Sequence, residues 1–147
     1  MAQNRFTNTY SQMWLRNHQR KLRQAIRNAS QPDTPNLINE WLQLEQELLC
    51  LSGSYFTVYA NQCRLLLETV CDEFLPSHWR CCCLDALNKP LLNMKAYART
   101  ANEIQHYNAL ANEIRTMTHY LSAGLSHQAS TLNGQSTGAR PHDNDTY

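Results

Sequence analysis

Apolar side chains recur every three to four residues from Leu37 to Phe74: Leu37, Trp41, Leu44, Leu48, Leu51, Tyr55, Val58 or Tyr59, Cys63, Leu66, Val70 and Phe74. That is the period of an α-helix burying one stripe, whereas a half-buried strand would alternate. No proline interrupts the run, and Gly53 is its one glycine. Glycine inside a helix costs roughly 1 kcal/mol against alanine, so Leu51-Ser52-Gly53-Ser54 is the weak point. The stripe keeps its phase across those residues, which predicts one continuous helix over 35–74. Thr34 followed by Pro35 suits its start, with a hydroxyl to cap free amides and a ring whose fixed φ fits the first helical position.

Pro76-Ser77 closes that helix and opens a short one predicted over 78–87; Asn88-Lys89-Pro90 breaks the pattern again. A second long helix is predicted over 91–122, with Met94, Tyr97, Ala101, Ile104, Ala111, Ile114 and Leu121 on its buried side. Upstream, Thr7 or Thr9 caps a first helix predicted over 7–29, with a narrower stripe of Tyr10, Trp14, Leu15, Leu22, Ala25, Ile26 and Ala29. Beyond Gly124 the chain turns to Ser, Thr, Gly, Asn, Gln and His with Leu125 and Leu132 as its apolar anchors. Such a composition cannot offset the entropy of ordering, so 125–147 is expected to be disordered. The fold class expected is all-α: an elongated antiparallel helical bundle of three to four helices, two of them long, formed by residues 1–124 and followed by a disordered tail.

Composition refines this picture without changing it. The five prolines lie outside the periodic runs, which favours helices over a turn-rich β fold. Charged residues make up only 17%, low for a globular protein. The formal net charge of +1 supplies no global attraction to nucleic acid or membrane. That small total conceals two opposed blocks. Residues 1–34 carry Arg5, Arg16, Arg20, Lys21, Arg23 and Arg27 against Asp33, a net +5; residues 35–75 carry six acids against Arg64, a net −5. One reading lays the basic helix against the acidic side chains of the next. The other offers Arg16, Arg20, Lys21, Arg23 and Arg27 as a contact surface for an acidic partner, for phosphates or for a membrane surface.

No apolar run resembles a secretory signal and no window approaches a membrane span, so a soluble, cytoplasmic protein is expected. Its six cysteines are then expected as reduced thiols. Trp79-Arg80-Cys81-Cys82-Cys83 is the loudest local feature. A closed zinc site wants two close pairs of ligands, and three successive cysteines on a helix point about 100° apart. Buried or half-buried thiols are the simpler expectation. Glu103-x-x-His106 has the spacing of a carboxylate-bridged di-iron bundle but lacks the second such motif that site requires. Cys81 stands one turn from His78, yet no orienting third group accompanies them. Glu68 and Asp72 share a helix face with Arg64 one turn earlier, the arrangement of a solvated, partly neutralised surface. No catalytic residue, metal or cofactor is expected.

The function expected is a helical protein–protein interaction module, such as an adaptor, chaperone or regulator, that binds a partner protein through its amphipathic helices. Besides the five basic residues, Trp41, Tyr55, Phe56 and Tyr59 are candidate partner-binding side chains, because aromatics lie on more than one side of the 35–74 helix. Either neighbouring helices cover so broad a face or a second copy of the chain does, as a homodimer. Two alternatives stand beside this reading. One is a nucleic-acid-binding regulator using the basic helix; the other is an amphipathic coat for a hydrophobic granule or lipid surface.

Overall fold

The protein is described here by a computed structural model, over residues 3–132. Six α-helices follow one another: α1 (Gln3–Arg27), α2 (Asn36–Ser52), α3 (Tyr55–Cys71), α4 (Ser77–Ala86), α5 (Asn88–Tyr97) and α6 (Ala101–Leu132). No strand occurs among the described residues. The chain divides into two compact units, Met1–Ile114 and Arg115–Tyr147. The described part of the second is the remainder of α6, which is helical to Leu132; the expected disordered tail is thus helical over 125–132, and its residues 133–147 lie outside the described residues. No helix among the described residues is long and apolar enough to cross a membrane.

Both expected long helices are broken, and each break has a local chemical cause. The 35–74 helix ends at Ser52 because Gly53 adopts φ 72°, the left-handed conformation that terminates helices and that glycine reaches without strain. Ser54 then turns extended, and its Oγ accepts the Thr57 N–H at 3.4 Å to start α3 afresh. The 91–122 helix is interrupted where Ala98 turns extended. Beyond it, Thr100 Oγ1 accepts the Glu103 N–H at 3.2 Å while Glu103 Oε2 accepts the N–H groups of Thr100 and Arg99 at 3.1 and 2.8 Å. This is a reciprocal capping box, and it fixes where α6 begins. The expected break at Asn88-Lys89-Pro90 is instead the first turn of α5, where a proline removes no helical hydrogen bond.

α3 is the hub of the first unit and packs against α1, α2, α4 and α5. Its buried apolar residues, Phe56, Tyr59, Ala60, Cys63, Leu66, Leu67 and Val70, cover the wide face that so many neighbours require. Trp41 from α2, Trp79 from α4 and Met94 from α5 are wholly buried around it. At one end, α4 seals the last turns of α1 and α3. The Trp79 indole N–H donates to the Ile26 carbonyl at 3.0 Å, and Arg80 Nε to the Val70 carbonyl at 2.7 Å. Carbonyls in the last turn of a helix lack an intrahelical donor. Arg80 supplies one to Val70, and Trp79 adds a second to Ile26, whose carbonyl also accepts the Ala29 N–H at 3.2 Å. Arg27 closes the same end by pairing with Asp72 at 2.8 Å.

Candidate functional site

Four arginines fall on one edge of α1, at positions 16, 20, 23 and 27, spaced so that each lies about one helical turn from the next. The two nearer the C-terminus are engaged within the protein. Arg23 Nη1 donates to Glu45 Oε1 at 3.0 Å, and its guanidinium lies 5.9 Å from the centre of the Trp41 ring. Arg27 is held by Asp72, whose carboxyl is pulled below the usual carboxylate range by the Arg27 hydrogen bond and by the Phe74 N–H. Arg16 and Arg20 make no ion pair among the described residues. The expectation that basic α1 lies against acidic side chains thus describes half of the row, with His18 and Glu40 adding a further contact at 3.4 Å.

Arg16, Arg20 and Arg23 line a groove of about 440 Å³ together with Leu48, Leu51 and Val58. α1 supplies the basic wall, the end of α2 and the start of α3 the apolar one. Leu51 is exposed because the chain turns at Gly53 directly after it, so the groove opens to solvent at the α2–α3 corner. Gln19 and Glu45 complete the lining. Glu45 is only 1% exposed, and its Oε1 accepts from Gln19 Nε2, Arg23 Nη1 and Trp41 Nε1 at 3.0, 3.0 and 2.8 Å. Its other oxygen, Oε2, is buried with no hydrogen-bond partner.

The remaining expected site residues are scattered. Lys21 is exposed, about 100° round the helix from Arg20. Trp41, Phe56 and Tyr59 are buried in the protein's own core, so the broad aromatic face is covered by neighbouring helices of the same chain. Tyr55 is partly exposed and stacks on Tyr97 at 4.8 Å between ring centroids, with Tyr59 at 5.7 Å from the same ring. Conversely, Tyr10 and Trp14, expected on the buried stripe of α1, are 73% and 63% exposed, with Met13 beside them at 59%. The stripe that does bury contains Leu22 and Ile26. Tyr10 lies about 160° round the helix from Ile26 at 100° per residue, so the expected stripe merged two faces.

The five described cysteines differ in exposure. Cys63 and Cys83 are buried, which pushes each thiol up to about 12; Cys71 is exposed, and Cys81 and Cys82 are half-buried. No group of three His, Cys, Asp or Glu side chains among the described residues is placed to hold a metal ion. His78 pairs with Asp33 at 3.3 Å. Glu103 is engaged in capping α6, and His106 packs edge-on against Phe56. Neither a protein-family model, nor a curated protein, nor a solved structure matches the chain.

Proposed function

We propose that this chain is a helical interaction module that acts by binding a partner protein through α1. The observation that carries this reading is the row Tyr10, Met13 and Trp14, which stands on the face of α1 turned away from the core and is largely exposed. Clustered aromatic and methionine side chains are the residue types that anchor protein interfaces, and an amphipathic helix face with spacing i, i+3, i+4 is the form such anchors take. The five free thiols among the described residues fit a reducing compartment such as the cytoplasm. Adaptor, chaperone and regulator are all compatible with a surface of this kind. The nucleic-acid reading draws less support, because Arg23 and Arg27 are paired with Glu45 and Asp72.

A photoreactive residue placed at Met13 tests the proposal. In a native extract it should crosslink to one defined protein. The double change Tyr10→Ser, Trp14→Ser should abolish the crosslink while leaving helical content and the unfolding midpoint in place, since both side chains are exposed. A crosslink to nucleic acid, or none to any protein, overturns it.

A further inference from the structure

We infer that the groove between α1, α2 and α3 is the docking site for an acidic amphipathic helix of the partner protein, an inference that rests on the interaction-module reading. Arg16 and Arg20 form the rim and have no ion pair among the described residues. They stand four residues apart on one helix, about 6 Å along its axis. A helix carrying Asp or Glu at i and i+4 presents two carboxylates at that same spacing, each within reach of a planar guanidinium that can bind it through two hydrogen bonds. On the opposite wall Leu48, Leu51 and Val58 receive the apolar side chain that such a helix carries between its acids. Met13 lies two turns before Arg20 on nearly the same line of α1, whereas Tyr10 and Trp14 stand about 80° and 120° round the helix from Arg20. The groove and the exposed apolar row are thus separate faces.

Charge decides between this occupant and a phosphate backbone. Arg23 and Glu45 neutralise each other, which leaves the groove two net cations. Two phosphate contacts give only weak, strongly salt-dependent binding to nucleic acid. A polyanion laid along the groove would also pass the apolar wall of Leu48, Leu51 and Val58, which offers its phosphates no donor. A helix that sets its two acids on the rim and hydrocarbon on the leucines meets neither obstacle.

The test is a display selection on the full chain, using a library of helix-forming peptides randomised along one face. Enriched peptides should carry two Asp or Glu one turn apart beside Leu, Met or Phe. Their affinity should fall at least about tenfold on R16E/R20E, as for other close interfacial charge pairs, and fall likewise on Leu51→Asp. A peptide with Lys in place of its acids should bind R16E/R20E and not the parent, a rescue that loss of folding cannot mimic. Enrichment without acidic bias, indifference to R16E/R20E, or an oligonucleotide bound more tightly than any peptide through the same arginines overturns the inference. Peptides that ignore Arg16 and Arg20 but require Tyr10 and Trp14 sink the groove and leave the interaction-module reading standing. No enrichment, with no crosslink from position 13, sinks both.

Discussion

Arg23 on α1 and Glu45 on α2 are joined at 3.0 Å across the packing of the two helices, and the Trp41 indole donates to the same carboxylate oxygen at 2.8 Å. Burying a carboxylate is costly unless a counter-charge and donors accompany it. Removing the arginine alone therefore strands a charge. Arg23→Ala should lower the unfolding free energy by about 2–4 kcal/mol in urea titrations followed by circular dichroism. The double replacement Arg23→Met, Glu45→Met should cost less than the single one, because it removes the stranded charge and keeps the volume. Equal losses in the two variants would mean that Glu45 finds another donor.

Gly53 supports a second prediction. A Cβ built at this position meets nothing within 4 Å, yet φ is +72°, so the cost of any side chain there is conformational alone. Gly53→Ala should destabilise by about 1 kcal/mol, and Gly53→Asn by less, since asparagine tolerates left-handed backbone. Thermal or urea unfolding of the two variants checks the order. A neutral Gly53→Ala would indicate that the chain can run helically from α2 into α3.

These breaks show how far the sequence was legible. Helical periodicity identified the fold class and about half of the buried apolar positions, because a 3.6-residue period reports which residues can share a face. In the expected 91–122 stripe, however, Tyr97, Ala101 and Ile104 are exposed, and the buried Leu110 lies outside it. It could not report where a helix stops, since the Leu37–Phe74 stripe keeps phase across the turn at Gly53. The stops were nevertheless written in short-range chemistry: glycine followed by a serine cap at 53–54, and Thr100-x-x-Glu103, a capping box overshadowed by the neighbouring Glu103-x-x-His106 spacing. The arginines at 16, 20 and 23 were visible as candidates. Their groove was not, because its opposite wall exists only once the turn brings Leu51 and Val58 to one corner. Tyr10 and Trp14 lie on a different face from Leu22 and Ile26, and apolar residues on two faces of one helix do not reveal which face is covered without knowing what packs against it.

Asp72 makes the fold acid-sensitive in a predictable direction. Arg27 and the Phe74 N–H both favour its charged form in the folded state and hold its carboxyl below the ordinary range. A depressed folded value stabilises the protein fully above the unfolded value, about 3.9 for an aspartate. That contribution is lost as pH falls from there through the lower folded value, because the unfolded chain takes up the proton first. Wild type should therefore exceed Asp72→Asn in unfolding free energy at pH 6, with the gap closing below about pH 4. A gap of constant size across that range would contradict the Arg27–Asp72 attribution.

Cys63 and Cys83 provide a direct reading of how cooperatively α3 and α4 hold together. Both are fully buried, on facing elements of the core, and burial raises each thiol to about 12. The thiolate is the species that reacts with alkylating agents, so at pH 8 the raised values by themselves slow these two against an ordinary thiol. Access slows them further, because neither sulfur can be reached until the helices separate. Iodoacetamide labelling followed by peptide mapping should mark Cys81 and Cys82, half-exposed on the same helix as Cys83, well before Cys63 or Cys83. The two buried cysteines should then appear together, at a rate that follows global unfolding as urea is raised. If Cys83 labels at the rate of Cys82 while Cys63 stays protected, α4 opens on its own. The seal that Trp79 and Arg80 form over the ends of α1 and α3 would then be a local latch rather than part of the cooperative core.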